Sequence, residues 1–274
     1  MEDYQLITFS NLDEDDFLEK GYWIRPCENK EFFDDMCNKV KVLIEKDFPQ
    51  TRGLSLAELH KVISKTEVND LRMKIFGEMN EDKDFRYNYL SLGRSYIEHL
   101  CGTELSANTK VNFSIQLPHD TSSILPSHCD TFSGESSYQI NLWVPLTESF
   151  QSNSMHIFRP IPTKNIITQM KLYETKGLDT IFDDYKAGTD YEELYVAKGN
   201  LVVFTPTALH GNRLNTTDKT RISFNCRFKN LHSPHNAPVG SSKILGQFYS
   251  PIRECLATKI GRNRALDILA EQRK

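Results

Sequence analysis

The sequence predicts a mainly β protein with a helical N-terminal third, its strands forming an antiparallel double-sheet barrel of the jelly-roll type. Three observations carry this. Apolar residues recur at helical spacing through the first third, and the period changes to two from Lys110. Short strands separated by turn signals then follow one another to Phe228. The 274 residues read as one domain. Helical support covers 1–109 and the barrel 110–228, an insertion at 163–194 interrupts the barrel, and a loop and helix fill 229–274.

In the first third, residues 17–25 read as a helix end at Gly21 followed by a short strand. Phe33, Met36, Val40, Leu43 and Phe48 give residues 30–48 an apolar helical stripe. Ser55 and Glu58 have the form of a capping box before Leu59, Val62 and Ile63. Two further helices are expected over Thr66–Met79 and Phe85–Leu100, the second stopped by Gly102. These stripes read as core.

Alternation begins with Val111, Phe113, Ile115 and Leu117 against Asn112, Ser114 and Gln116, and Pro118 ends that strand. Tyr138–Leu146 and Met155–Phe158 are further strands. The 163–194 insertion is polar but dotted with Tyr173, Phe182, Tyr185 and Tyr191, so it is expected to be an ordered lid. The tail closes in a helix for which Ser250 and Pro251 suit the start.

Composition narrows the function classes. A net charge of −4 and a pI near 6.1 give no general attraction to nucleic acid or an anionic membrane. The opening MEDYQLITFS has neither basic region nor apolar core, and no apolar run reaches membrane-spanning length. Six dispersed cysteines without a C-x-x-C pair suit reduced thiols and a cytoplasmic location.

Chemistry concentrates in GNLVVFTPTALHGNRLNTTDKTRISFNCR, residues 199–227. A strand, Leu201–Phe204, leads through Thr205-Pro206 to His210, and a second strand runs from Thr220 to Phe228. There Arg221, Ser223, Asn225 and Arg227 share one face and Ile222, Phe224, Cys226 and Phe228 the other. The polar face suits either a solvated edge or a polar pocket. His128-Cys129-Asp130 supplies an imidazole and a carboxylate two residues apart on an extended segment, able to reach one ion from one side. One H-x-D is a weak signal in a chain with eight histidines. Joined by His210, it forms two histidines and one carboxylate with coordination positions left open, the facial triad of non-haem Fe(II) oxygenases. The same set also describes hydrolytic zinc sites. His119-Asp120, and His232 or His235 in a loop beyond the arginine strand, are rival ligands ranked below it.

HCD, then His210, then Arg221-x-Ser223 resembles the Fe(II)/2-oxoglutarate-dependent dioxygenases. QINLWVPLTES and LHGNRLNTTDKTRISF are similar to the phytanoyl-CoA dioxygenase-like branch, especially members from bacterial streptomycin-type and carbohydrate-biosynthesis clusters. The resemblance covers roughly residues 111–228, with an echo in FLEKGYWIRP. The branch's apolar-Pro-Gly-Ser-His run is replaced by SNSMHIFRPIPTK, so that part of the substrate pocket is not carried over. The resemblance implies a double-stranded β-helix, cupin-like barrel with Fe(II) on His128, Asp130 and His210, and with 2-oxoglutarate and O2 as co-substrates. Arg221 with Ser223 then holds the distal carboxylate of 2-oxoglutarate, an acceptor that suits a two-pronged guanidinium and that a zinc hydrolase has no use for.

Trp143 resembles the family's co-substrate pocket wall, and Asn141 shares its strand face. Gln116 and Arg227 are candidate substrate contacts, with Arg227 suited equally to an anionic substrate group or an internal carboxylate. Cys129 points away from the site into the core. Related halogenases replace the carboxylate by a small residue; Asp130 is present, so hydroxylation is the default outcome. The expected enzyme acts on a small-molecule substrate, such as a sugar, nucleotide-sugar or amino-cyclitol intermediate. A metal-containing carbohydrate-binding barrel without catalysis and a hydroxylase of protein substrates are the alternatives.

Overall fold

The computed structural model describes residues 13–235 and 241–271. The opening MEDYQLITFS lies outside them. Helix α1 (Glu14–Lys20) starts under Asp13, whose side chain accepts from Asp16 N, and stops at Gly21 in the left-handed conformation (φ 81°). Strand β1 (Tyr22–Pro26) follows. Helix α2 (Lys30–Asp47) is capped by Asn29 and buries Phe33, Met36, Cys37, Val40 and Ile44. Next come α3 (Val68–Glu81), α4 (Phe85–Leu90), α5 (Arg94–Cys101) and strands β2 (Leu105–Asn108), β3 (Asn112–Gln116), β4 (Gln139–Pro145) and β5 (Met155–Phe158). Helices α6 (Pro160–Thr168), α7 (Met170–Lys176) and α8 (Ile181–Asp184) precede β6 (Tyr191–Glu193). Strands β7 (Asn200–Phe204), β8 (His210–Asn212), β9 (Arg221–Asn230) and β10 (Tyr249–Arg253) and helix α9 (Leu256–Glu271) complete the chain.

The larger sheet runs β1-β7-β4-β9-β2-β10, with β3 also on β9, and the smaller runs β6-β5-β8. Every pairing between these strands is antiparallel. The helices cover one face of the larger sheet, where Phe85 and Tyr89 meet Phe224 and the core takes Phe113, Ile115, Ile222, Cys226 and Phe228. The other face meets the smaller sheet through Trp143, Val202, Phe204, Met155 and Ile157. The strands thus form two packed sheets, and closure of the expected barrel is not seen among the described residues.

The insertion has a core of its own, in which Ile166, Tyr173, Ile181 and Tyr191 close on Phe158, Leu209 and Cys129. None of the six cysteines is in a disulfide, and five are buried. Among the described residues no helix is long and apolar enough to cross a membrane.

Three helix expectations change, and one strand is new. The helix expected over Phe85–Leu100 is two, α4 and α5, parted at Gly93, where a Cβ would lie 3.0 Å from Leu201 Cδ2 and 3.2 Å from Leu142 Cδ1. Close approach to the sheet, not helix propensity, decides that break. Ser55 bonds Glu58 side chain to side chain, without a capping bond to the backbone, and a three-ten turn (Leu56–Lys61) follows in place of an α-helix. Ser250 and Pro251 lie in β10, paired with Ala107 and Ser106, so the last helix starts later, at Leu256. Strand β2 was unforeseen because Leu105–Asn108 is short and buried on both faces, so it carries no alternation.

Gly93→Ala tests the close approach. It should destabilise the fold by about 1–3 kcal/mol, the usual cost of overpacking, measured by urea unfolding at unchanged m. Wild-type stability would show that Leu142 and Leu201 yield freely.

Candidate metal centre

The two candidate histidines are placed by one narrow backbone bridge. His128 N donates to His210 O and His210 N to His128 O, each at 2.9 Å, which sets the ring centroids 4.5 Å apart. Gly211 lets the 125–128 segment lie this close, because a Cβ there would stand 2.6 Å from Leu125 O. Cys129 is extended and sends its side chain into the insertion's core, as its parity requires. Asp130 then opens a three-ten turn (Asp130–Ser133) ended by Gly134 (φ 84°).

The tautomers follow from the backbone. His128 Nδ1 lies 2.9 Å from Pro126 O, and His210 Nδ1 lies 2.9 Å from Ala208 O. A carbonyl only accepts, so each Nδ1 carries the proton and each Nε2 keeps a lone pair for an ion. His128 Nε2 lies 3.8 Å from Asp130 Oδ1. Among the described residues, His128, Asp130 and His210 form the one group of three whose ligand atoms lie within 4.8 Å of one another. Burial pushes the His210 imidazole down to about 4 against the pull of Asp130. Burial alone would raise the Asp130 carboxyl, but His128, Arg227 and His210 outweigh it and hold it well below the usual carboxylate range. Neutral His210 and ionised Asp130 are the forms a divalent metal takes.

A cavity of about 320 Å³ extends from His210 to Arg221. Arg221 is 5% exposed, and its partners are all neutral. Nε and Nη2 donate to Gln116 Oε1 at 3.2 and 3.1 Å, and Nη1 donates to Ser223 Oγ at 3.1 Å. The guanidinium carbon lies 5.7 Å from the Trp143 ring centre. Burial lowers its pKa to about 10, which leaves it charged at neutral pH. No carboxylate pairs with it among the described residues. A buried cation without a counter-ion is costly, so the site calls for an anion.

The polar face of β9 therefore lines a pocket: Arg221, Ser223, Asn225 and Arg227 all border the cavity. Three expected contact residues have partners within the protein. Asn141, expected at the co-substrate, donates from Nδ2 to Asp130 Oδ2 at 2.7 Å. Arg227 meets the internal carboxylate, with Nε on Asp130 Oδ2 at 3.2 Å and Nη2 on Oδ1 at 2.7 Å. Gln116, expected to face substrate, is spent at both ends, since its Nε2 donates to Arg213 O at 2.7 Å. The rival ligands have other roles. Asp120 accepts from Ser122, exposed His232 lies near Glu104, and His235 packs on Tyr249. Glu135 had no signal, being a single acid in a polar turn; it is buried behind Arg227, 3.9 Å from Nη1.

Among solved structures, HygX from Streptomyces hygroscopicus with nickel and 2-oxoglutarate bound aligns at TM-score 0.50 and 12% identity, over 81% of this chain and 87% of its own. The chain shares the fold of HygX. The non-haem monooxygenase ThoJ in its nickel complex aligns at TM-score 0.48 and 14% identity, over 88% of this chain and 83% of that one. SnoK, a non-haem α-ketoglutarate-dependent carbocyclase from nogalamycin biosynthesis, aligns at 0.47 and 17%, over 88% and 97%. No protein-family model and no curated protein matches the chain. At 12% identity the likeness to HygX establishes architecture alone.

Gly211→Ala tests how the two histidines are brought together. Its methyl would push the Leu125–His128 segment off β8, so Ni(II) affinity by calorimetry should fall on the order of tenfold or more, although no ligand is altered. Unchanged affinity would mean that the ligands are positioned independently of this contact.

Proposed function

We propose that the protein is an Fe(II)/2-oxoglutarate-dependent oxygenase acting on a small polar metabolite. The observation that carries this reading is Arg221, a buried cation without an anionic partner among the described residues, at one end of a cavity whose other end presents His210. A guanidinium has five N–H groups. Gln116 takes two and Ser223 one, which leaves Nη1 and Nη2 with one donor each for a carboxylate. A hydrolytic zinc site has no use for such a group in the cavity beside its ligands. The HygX structure, with nickel and 2-oxoglutarate bound in a shared fold, supports the same assignment.

The ligand chemistry fits Fe(II): two neutral Nε2 atoms and one carboxylate oxygen from one side. When bound, Fe(II) couples reduction of O2 and conversion of 2-oxoglutarate to succinate and CO2 to oxidation of a substrate C–H bond. The chain's part is to hold and to orient. His128, Asp130 and His210 hold the ion, and Arg221 with Ser223 fixes the far carboxylate of the oxo acid. Trp143, 5% exposed and beside Arg221, walls the cavity and keeps water from the guanidinium. His128 is the ligand with an open side, its side chain 28% exposed, and substrate approaches there. The 163–194 insertion acts as a lid, anchored by its own core behind Cys129. The substrate proposed is a sugar, nucleotide-sugar or amino-cyclitol intermediate, on the branch resemblance of the strands around the site.

Iron-dependent release of succinate from 2-oxoglutarate, with Arg221 variants alongside, tests the reading. Charge-assisted hydrogen bonds contribute about 1.5–3 kcal/mol, so Arg221→Ala should raise the apparent constant for 2-oxoglutarate roughly tenfold to a few hundredfold. Iron content should stay unchanged. Arg221→Lys should recover part of the loss, because a point charge cannot reproduce the planar fork, and Ser223→Ala should cost about tenfold or less. Bound iron together with an apparent constant for 2-oxoglutarate that Arg221→Ala leaves unchanged would remove 2-oxoglutarate from the proposal.

A further inference from the structure

Resting on that reading, we infer that Arg227, held from behind by Glu135, is a positioning residue that restricts Asp130 to ligating the metal through one oxygen. A carboxylate offers about four acceptor positions, two on each oxygen. On Oδ2, Asn141 Nδ2 at 2.7 Å and Arg227 Nε at 3.2 Å fill both. On Oδ1, Arg227 Nη2 at 2.7 Å fills one. A single acceptor position remains, and it belongs to Oδ1, the oxygen 3.8 Å from His128 Nε2. Chelation by both oxygens would need a free position on Oδ2, and there is none.

The consequence is a matter of coordination number. Two imidazoles and one carboxylate oxygen leave an octahedral ion room for a two-toothed oxo acid and one further ligand. An Asp130 that swung to chelate with both oxygens would fill that last position. Arg227 and Asn141 keep it open by keeping Oδ2 engaged.

Arg227 is itself held at several points. Its backbone N–H donates to Asn108 Oδ1 at 3.0 Å, and its Nη1 faces Glu135 Oε1 at 3.9 Å. The Glu135 side chain is 1% exposed, accepts from the Tyr249 hydroxyl and lies 2.9 Å from Lys243 Nζ. Asp130, Arg227, Glu135 and Lys243 form a chain of alternating charge that sums to zero. The pull of Asp130 on Arg227 is therefore balanced from the opposite side. Lys243 and Tyr249 come from the segment after β9, which ties that segment to the metal ligand.

Nitric oxide, a stand-in for dioxygen, is the probe. It is added without air to full-length protein carrying Fe(II) and 2-oxoglutarate, and the iron–nitrosyl signal is read by electron paramagnetic resonance. Wild type should give a full signal. Arg227→Met should still bind iron and 2-oxoglutarate but lose most of the signal, with both Asp130 oxygens on the ion in a crystal structure of its Ni(II) form. Arg227→Lys should restore part of it, and Glu135→Gln should weaken it while touching neither Asp130 nor the ion. An undiminished signal in Arg227→Met, or loss of its iron while the protein stays folded, overturns the inference. Where Arg227→Met does not fold, Glu135→Gln decides, and an unchanged signal there overturns it. A wild-type protein that takes up neither iron nor 2-oxoglutarate contradicts the oxygenase reading instead.

Discussion

Along residues 221–228 of β9, each residue turned towards the helices is apolar and each residue turned towards the cavity is polar, so one strand separates a dry core from a row of charge. Ile222, Phe224, Cys226 and Phe228 are fully buried on the helical side. Arg221, Ser223, Asn225 and Arg227 face the cavity on the other. A one-residue slip would put two guanidinium groups among Phe85, Tyr89 and Phe113 and expose the apolar row, so the register is strongly specified. Pairing on both sides enforces it: β3 and β2 hold one edge of β9 and β4 the other. That register sets Arg221 opposite Gln116 and Arg227 opposite Asn141, and the two ends of the cavity follow from it.

The two arginines meet the same problem in opposite ways. Burial lowers the Arg221 pKa, and no carboxylate offsets this among the described residues. Burial also opposes the charge on Arg227, but Asp130 and Glu135 more than compensate and raise its pKa above the ordinary value. One guanidinium is thus satisfied within the protein and the other lacks its anion. The difference separates a group that shapes the site from a group that awaits a ligand, although both stand on one strand face with one intervening polar pair. Sequence parity alone could not make that distinction.

The helices and strands around the site were legible because their signals are local. Period two in residues 111–117 and 221–228, Gly21 as a helix stop and the stripe of α2 all depend on neighbours in the chain. Elements decided by distant contacts were not. Gly93 parts α4 from α5 because Leu142 and Leu201 press on it, and β2 and β10 pair with each other across the sheet edge without an alternating pattern. In the site, His128, Asp130 and His210 could be grouped by residue type and the structure brings them together. Which partners hold Asp130 could not be read, although an internal carboxylate was one of the two readings for Arg227. Asn141, Arg227 and Glu135 reach it, or each other, through strand pairing and a turn that no spacing in the sequence encodes.

In the proposed function, one dianionic oxo acid spans the cavity, one end on the ion and the other on Arg221. The most direct measurement is an anaerobic absorption titration of Fe(II)-loaded protein with 2-oxoglutarate. Chelation of Fe(II) by the oxo acid should produce a visible charge-transfer band that saturates at one equivalent and does not form with Zn(II) in place of iron. Binding of 2-oxoglutarate to the iron-loaded protein with no such band would contradict the account, because the acid would then occupy Arg221 without reaching the ion.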